Sequence, residues 1–358
     1  MAEGDAARRE RRTSDALAAY ERAIAQDPTS VPAHLRYVET LSADGRRSVA
    51  RDRYVALAAA PGASEVVRVL AARLQTDGSA TAVRAVYVEA ARRVPADPWW
   101  RLAIAEVDLE AADRWIRRHE HERTEGDRPA AAEALDRAQQ ALARAQSAIE
   151  NAAARGAGLA ELNLYRGLAR SLEGDLLPQA AARTAAYRAA ADAFEAAVRA
   201  DPTMVDAWAD LGDAWLRADE KDEALAAYLR ASRLAPSDPD LRANLGVVLH
   251  ALERDRDAAR QFAEAARLDP TAATPLLSEG DAWAAAGDYE KALDAYGRAL
   301  ERDPALVEAH GRRGAVLEHL GRLPEARQEY AIYVDRGGAD AADVKRRIER
   351  LLSSEGPP

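Results

Sequence analysis

Histidine is the side chain that most readily supports acid–base or metal chemistry near neutral pH, and this 358-residue sequence contains six of them. The tightest cluster is His119-Glu120-His121. Residues two apart on a helix point in different directions, whereas metal chelation favours residues three or four apart. The other histidines are not spaced with acids as in a known hydrolase or metalloprotease. We therefore expect no catalytic constellation, no metal site and no cofactor.

Glycine could supply a phosphate-binding loop, and Gly212 and Gly280 each stand directly before an aspartate. Neither belongs to a Gly-rich loop followed by lysine and serine or threonine, and no strand pattern precedes them, so we interpret both as contacts between helices. The sequence has no cysteine, which excludes disulfides, thiolate metal ligands and a cysteine nucleophile. We expect a protein that is not an enzyme.

The charge of the chain restricts the classes of partner. Its formal net charge is −10, and the acidic excess lies entirely in the residues that follow Arg128. Recognition of phosphate backbones depends on clustered lysine and arginine, so nucleic acid is a disfavoured partner. No apolar run is long enough to cross a bilayer, which predicts a soluble chain without a transmembrane segment and leaves cytoplasm and periplasm both open. The abundance of alanine and arginine looks like genomic base composition, and we interpret the source as bacterial.

The elements that must position any site follow from a repeat that returns every 34 residues between Val205 and Asp340. Large apolar and small residues recur at fixed places, as in Trp208, Leu211, Gly212, Trp215, Ala224, Tyr228, Ala231 and Pro236, then Leu245, Gly246, Leu249, Ala258, Phe262, Ala265 and Pro270. Two further copies carry Gly280, Trp283, Ala292, Tyr296, Ala299 and Pro304, then Gly314, Leu317, Ala326 and Tyr330. Each copy predicts two helices: glycine removes a side chain from the first where the second must come close, and small residues flank the aromatic ring on the second.

This pattern resembles the tetratricopeptide repeat. The resemblance implies an all-α fold in which paired helices stack into a right-handed superhelix, and it implies binding of peptides or partner proteins along a concave face made by the first helix of each unit. It also implies that catalysis is absent. We expect Trp215 and Trp283 to occupy equivalent buried sites in this packing.

Weaker copies of the repeat fill the N-terminal part of the chain. The first runs from Gly4 through Tyr20 to Pro28 and lacks four residues upstream of Met1, so we expect that the natural precursor was longer. The 34-residue repeat becomes irregular after Pro98, where long helical patterns predict an extended hairpin. We predict N-terminal units over 1–97, irregular units with elongated helices over 98–204, four regular units over 205–340, and a capping helix with a tail over 341–358.

One of the irregular units carries its aromatic residue, Phe194, eleven positions late relative to Gly167. The extra length lies between Asp175 and Thr184, and Leu177-Pro178-Gln179 resembles a helix start. We therefore predict about three added turns at the beginning of the second helix of that unit.

The resemblance also indicates which residues line the groove. Positions near the start, middle and end of the first helices hold Asp206, Asp210, Asp213, Arg217, Asp240, Asn244, His250, Asp281, Glu308, Arg312, Glu318 and His319. Seven acids against two arginines favour a basic or polar peptide segment as the partner. We expect Asp206 and Asp240 to face solvent at the starts of their helices.

The family's receptors for the C-terminal tails of chaperones hold a carboxylate with lysine, arginine and asparagine, and only Asn244 of this chain fits that set. The sequence thus predicts an all-α superhelix with an elongated central hairpin that acts as a protein-interaction scaffold. An assembly or envelope-biogenesis factor stays open as the alternative. Such a factor, a processed periplasmic or lipid-anchored protein, would use the convex faces and the hairpin.

Overall fold

A computed structural model describes residues 1–354, which are helical throughout apart from short connections and contain no strand. The helices are arranged in two compact units, Met1–Pro236 and Ser237–Pro358, here termed the N-terminal and C-terminal units. The all-α paired-helix fold expected from the sequence is confirmed. Within residues 1–354, no helix combines the length and the apolar character that crossing a membrane requires.

The N-terminal unit contains six consecutive helix pairs. These are α1 (Ala2–Arg9) with α2 (Thr13–Gln26), α3 (Val31–Ala43) with α4 (Arg47–Ala59), α5 (Glu65–Gln75) with α6 (Ala80–Arg93), α7 (Trp99–Glu125) with α8 (Arg128–Ala153), α9 (Leu159–Leu176) with α10 (Ala180–Ala200), and α11 (Val205–Arg217) with α12 (Lys221–Leu234).

The C-terminal unit contains three helix pairs and a final helix. These are α13 (Pro239–Ala251) with α14 (Asp255–Leu268), α15 (Thr274–Ala285) with α16 (Tyr289–Arg302), α17 (Val307–His319) with α18 (Leu323–Asp335), and α19 (Ala341–Ser354). The boundary between the two units falls inside the stretch 205–340, so the grouping of the four regular repeats into one domain stays a prediction.

The period of 34 is visible in the helix starts, because the second helices of the regular repeats begin at Lys221, Asp255, Tyr289 and Leu323. In each of the four regular repeats a close contact between glycine and an aromatic ring joins the two helices of the pair. A Cβ placed on Gly314 would lie 2.7 Å from the ring of Tyr330, far closer than carbon atoms approach without displacement. Only a residue without a side chain therefore fits opposite the ring.

The elongated hairpin expected after Pro98 is present as α7, with 27 residues, and α8, with 26 residues. Gly126 ends α7 in the left-handed conformation with φ of 82°, and the carboxylate of Asp127 accepts a hydrogen bond from the Ala130 N–H at 3.0 Å to cap α8. A row of buried alanines along α8 lets it lie close to α7 over its whole length: Ala131, Ala134, Ala138, Ala141, Ala145, Ala148 and Ala152.

The prediction that the added turns near Pro178 all belong to the second helix of the pair is wrong. Helix α10 has 21 residues, about two turns more than the 14 of α12, and α9 has 18 residues where α11 has 13. Both helices of the pair are lengthened because the added residues pack against each other. Gly174 near the end of α9 lies against the ring of Tyr187 near the start of α10, in addition to the contact between Gly167 and the ring of Phe194.

Two expectations for tryptophan burial are also wrong. Trp215 and Trp283 are only partly buried at the margins of their apolar clusters, whereas Tyr228 and Tyr296 are fully buried. The ring of Trp283 stays accessible enough for Lys291 Nζ to lie 4.1 Å above its centre. The tyrosines, which face glycine, are therefore the central packing residues of the pairs.

The final helix has the apolar edge expected of a cap. Val344 and Leu351 are buried and Ile348 is partly buried against the last cluster of the C-terminal unit, while Leu352 is 57% exposed rather than part of that edge. The predicted tail over 355–358 lies outside the described residues.

Candidate partner-binding surfaces

Helix α11 presents one row of predicted site residues to a cavity of about 580 Å³ in the N-terminal unit. Asp206, Asp210, Asp213 and Arg217 follow one another at intervals of one helical turn and all line this cavity. The remaining lining residues come mainly from the first helices of other pairs and include Arg36 of α3 and a set of apolar side chains, Leu109, Leu164, Leu168 and Leu172. We name this space the α11 cavity.

Asp206, which we expected to face solvent, is instead paired with an arginine from the first helix of the chain. Arg9 Nε donates a hydrogen bond to Asp206 across 197 positions of sequence, and both side chains are about one-quarter exposed. Burial of Asp206 acts to raise its pKa, but attraction to Arg9 and Arg36 outweighs that effect and holds the pKa below its usual value. The expectation of a solvated residue is therefore wrong.

Asp210 lies between two other carboxylates and has no cation within ion-pair distance among the described residues. Burial raises the pKa of Asp210 to about 8, and repulsion from Asp206 and Asp213 adds to the increase. Attraction to Arg9 opposes this rise but does not cancel it. The fold thus favours the protonated form of the Asp210 carboxyl over the form that a solvated aspartate adopts.

The remaining two predicted residues of α11 are held by contacts within the N-terminal unit. Asp213 accepts a hydrogen bond from the hydroxyl of Tyr228, while burial raises its pKa. Arg217 Nη1 donates to Asp175 Oδ1 at 2.7 Å, and its guanidinium lies 5.3 Å above the ring of Tyr187.

In the C-terminal unit the predicted residues lie on first helices, as expected: Asp240, Asn244 and His250 on α13, Asp281 on α15, and Glu308, Arg312, Glu318 and His319 on α17. Asp240, Glu308 and Arg312 are exposed, and Asn244 is half-buried. The structure places the three sets on successive pairs, and several members contact one another or neighbouring helices.

Two of the four predicted acids on these helices form ion pairs within the protein. Asp281 forms an ion pair with Arg312, and Glu318 accepts a hydrogen bond from Arg347 Nε at 2.6 Å. His250 Nδ1 lies 2.6 Å from Asp255 Oδ1. His319 packs against the ring of Tyr289 with 4.3 Å between the ring centres. The predicted attraction of this surface for basic segments is reduced because internal cations already neutralise part of its charge.

Sequence reasoning missed a hydrogen bond that recurs beside the glycine contacts. The residue after the glycine is often an aspartate that accepts a bond from the tyrosine hydroxyl of the second helix: Tyr20 to Asp5 at 2.7 Å, Tyr187 to Asp175 at 2.7 Å and Tyr296 to Asp281 at 2.8 Å. The Gly-Asp dipeptide, present at Gly4, Gly174, Gly212 and Gly280, was the available signal. The recurring hydrogen bond shows that Asp213 and Asp281 hold helix pairs together as well as lining a surface.

The pair His119 and His121 lies near the end of α7, where His119 Nδ1 contacts the carbonyl oxygen of Ala131 at 2.8 Å. Within residues 1–354, no group of three or more potential ligand side chains is arranged to hold a metal ion.

Comparisons with solved structures find similar chains of low identity. A crystal structure of MamA protein matches with 18% identity and a TM-score of 0.45, covering 52% of this chain and 96% of that one. PilF of Pseudomonas aeruginosa matches with 14% identity and a TM-score of 0.45, covering 67% and 99%. YrrB, described as a TPR protein with an unusual peptide-binding site, matches with 20% identity and a TM-score of 0.41, covering 50% and 92%.

Among curated proteins, the tetratricopeptide repeat and J domain-containing co-chaperone DNJ1 of Cryptococcus neoformans var. grubii is 34% identical over 77 residues. That alignment takes in 22% of this chain and spans only 15% of the length of the relative. A family model described as tetratricopeptide repeat matches residues 179–239, 222–273 and 277–342, and a second with the same description matches residues 7–74. Because these matches together cover more than half of its length, the chain belongs to the tetratricopeptide repeat family.

Proposed function

We propose that the chain is a protein-interaction scaffold that holds a segment of a peptide or partner protein in the α11 cavity of the N-terminal unit. Membership in the tetratricopeptide repeat family supports a binding role, and we propose that it acts without catalysis of its own. The observation that carries the proposal is Asp210, a carboxyl between two other carboxylates, opposite a wall of leucines.

The chemistry of the cavity favours a lysine or arginine side chain that is flanked by aliphatic residues. An ammonium or guanidinium group beside Asp210 would relieve the repulsion that Asp206 and Asp213 impose on it. The leucines opposite would accept the aliphatic stem of the same side chain, as long basic side chains pack their methylenes on apolar surface. A basic segment is thus the expected partner at this site.

Binding of a cation would also be linked to protons. Because the pKa of Asp210 is about 8 in the empty cavity, a cation that needs the ionised carboxylate must displace a proton at neutral pH. Affinity should therefore rise as the pH increases toward 8 and level off above it. Replacement by Asn should remove this pH dependence together with most of the preference for cations.

A peptide array tests the proposal. The full chain is applied to capped heptapeptides that carry Lys, Arg, Gln or Glu at the centre between leucine and alanine. Peptides with a central Lys or Arg should retain the protein more strongly than those with Gln or Glu. This preference should weaken as the salt concentration rises and the Debye length falls below about 10 Å. The Asp210→Lys variant should lose at least tenfold in affinity.

Asp192→Lys is the matched control, because Asp192 is an exposed residue of α10 that does not line the cavity and its replacement changes the net charge equally. Equal retention of all four peptide types, or equal losses in both variants, would refute the α11 cavity as the binding site. An assembly role through the hairpin is the second candidate function, and the large cleft beside α7 and α8, lined by both arginines and acids, is the observation that favours it.

A further inference from the structure

A second large space in the N-terminal unit lies between α6 and the elongated hairpin of α7 and α8. Its volume is about 1210 Å³, and its arginines are Arg73, Arg84, Arg114, Arg118, Arg137 and Arg144. We name it the hairpin cleft. Arg84, Asp108 and Arg144 line this cleft and not the α11 cavity, so the two surfaces can be changed separately.

Two of these arginines share a single carboxylate that is withdrawn from solvent. The side chain of Asp108 is 1% exposed, and it accepts hydrogen bonds from Arg84 Nε at 2.8 and 3.0 Å and from Arg144 Nε at 3.1 Å. The two guanidinium groups come from α6 and α8, on either side of α7. The three side chains together carry one unit of positive charge.

The orientation of the two guanidinium groups leaves their outer nitrogens available. Each reaches Asp108 through Nε, and within residues 1–354 the Nη atoms of Arg84 and Arg144 make no hydrogen bond to a protein acceptor. The side chains are 33% and 45% exposed, so these Nη groups are accessible from the cleft. Paired N–H donors in such a fork match the two oxygens of a carboxylate.

The other hairpin arginines that line the cleft, Arg114, Arg118 and Arg137, are each paired with an acid one turn away on the same helix. Arg114 lies 3.7 Å from Glu110, and Arg137 lies 2.7 Å from Glu133. These acids make the rest of the cleft unfavourable for a highly charged anion. The single net charge at Asp108 is matched by one carboxylate rather than by a phosphate dianion.

An apolar contact point lies further along the same helix face. Trp115 follows Asp108 by seven positions on α7, which places it about 10 Å away along the helix. Its ring is flanked by the guanidinium groups of Arg137 at 4.8 Å and Arg118 at 5.5 Å. In an extended peptide of polyproline II conformation, which has three residues per turn and a rise of about 3.1 Å for each residue, side chains three residues apart lie on the same side at about this distance.

We propose that the hairpin cleft binds an extended acidic segment of a partner protein, whose Asp or Glu carboxylate is held by the Nη groups of Arg84 and Arg144 while an apolar side chain three residues away packs against Trp115. The buried Asp108 orients the two arginines and is a positioning residue. The ligand at this site is opposite in charge to the one proposed for the α11 cavity, and neither proposal depends on the other.

The test uses the full chain labelled with 5-fluorotryptophan, whose Trp115 ¹⁹F resonance is assigned from a Trp115→Phe sample. The probes are the capped peptide acetyl-Phe-Ala-Ala-Glu-amide, the same peptide with Gln in place of Glu, and inorganic phosphate. The Glu peptide should shift the Trp115 resonance with an affinity at least tenfold higher than that of the Gln peptide.

Variants test whether the two arginines cause the preference for the Glu peptide. The triple variant combines Arg84→Gln, Arg144→Gln and Asp108→Asn. It removes all three charges, so no buried charge is left without a partner, and it should abolish the preference for the Glu peptide. Arg84→Lys should keep the fold and lose part of the preference because an ammonium lacks the fork of donors. Arg128→Gln, at the exposed start of α8, is the control of equal charge change and should bind as the wild type does.

Three results would overturn the proposal: equal affinity for the Glu and Gln peptides, unchanged preference in the triple variant, or displacement of the peptide by phosphate at concentrations below the Kd of the peptide. The last result would assign the cleft to a phosphate instead. Asp210→Lys should leave the affinity for the Glu peptide unchanged, so the outcome is separate from that of the α11 cavity.

Discussion

The hydroxyl of Tyr296 on α16 donates a hydrogen bond of 2.8 Å to Asp281 on α15, the residue that follows the glycine on which the Tyr296 ring rests. The same arrangement joins Tyr20 to Asp5 beside Gly4 and Tyr187 to Asp175 beside Gly174. Each tyrosine thus fills an apolar gap between two helices and satisfies its polar tip on the same neighbouring helix. Glycine and aspartate act together because one admits the ring and the other binds its hydroxyl.

The glycine contact can be tested within the C-terminal unit. Gly314→Ala should lower the free energy of unfolding by about 1–3 kcal/mol, because the new Cβ would lie 2.7 Å from the buried ring of Tyr330. Gly297 on α16 is the matched control, since a Cβ there meets nothing within 4 Å. Gly297→Ala should raise stability by about 0.5–1 kcal/mol through its helix propensity. Urea unfolding followed by circular dichroism measures both, and equal losses in the two variants would contradict the contact.

The tyrosines should carry more of the stability than the tryptophans of the repeat. Tyr296→Ala removes a fully buried ring and should cost about 3–5 kcal/mol, whereas Trp283→Ala should cost about 1–2 kcal/mol because Trp283 is only partly buried. Tyr296→Phe should cost about 0.5–1.5 kcal/mol for the lost hydrogen bond.

The damage from Tyr296→Ala should remain local, because repeat pairs contact mainly their neighbours. Hydrogen exchange should show lost protection in α15 to α19, with protection retained in α1 to α6. Uniform loss along the chain, or a larger effect of Trp283→Ala, would contradict this account.

The repeat could be predicted from sequence because its defining contacts are local. Tyr228 contacts Gly212 and Asp213, which lie on the preceding helix of the same pair, so a period in the sequence is enough to place both helices. The acids of the groove were harder to interpret. A sequence pattern places Asp213 at the right helix face but does not distinguish an aspartate free to meet a ligand from one bound to a tyrosine hydroxyl.

The pair of Arg9 and Asp206 shows why the rest of the site was missed. These residues are separated by 197 positions, and their contact depends on the rotation added by every intervening pair, including the lengthened α7 to α10. If the length of one of those helices is mispredicted by one or two turns, as near Pro178, the accumulated rotation is mispredicted as well. The Arg84, Asp108 and Arg144 cluster is hidden for a similar reason, because it joins α6 to the two elongated helices of the irregular part of the chain.

The stability of the N-terminal unit should fall as the pH rises from about 4 to about 8. Burial raises the pKa of Asp210 to about 8 and that of Glu106 to about 7, so between their unfolded values and these values the folded state binds more protons than the unfolded state. The stabilisation that these two groups contribute is fully present below their pKa values in the unfolded state. It is lost as the pH rises through their pKa values in the folded state. Asp210→Asn should reduce this slope and raise stability at pH 9 by at least about 1 kcal/mol, since one pKa unit represents about 1.4 kcal/mol.

Urea unfolding at a series of pH values measures this slope. Asp192→Asn on the exposed surface of α10 is the control and should leave the curve unchanged. A stability that rises between pH 5 and 8, or a curve for Asp210→Asn that matches the wild type, would show that the Asp210 carboxyl is solvated and ionised.

The ion pair between α1 and α11 predicts that two acids with similar sequence contexts respond differently to charge reversal. Asp206→Lys places an ammonium beside Arg9 and Arg36 and should cost about 1–3 kcal/mol, because a partly buried ion pair is replaced by like charges. Asp240→Lys, at the exposed start of α13, should cost only about 0.3–1 kcal/mol from its position at a helix N-terminus. The swapped double variant Arg9→Glu with Asp206→Lys should recover part of the loss, since it restores opposite charges at the contact. Thermal unfolding of the three variants decides the matter: equal small losses for Asp206→Lys and Asp240→Lys, with no recovery in the double variant, would mean that α1 does not bind α11 in solution.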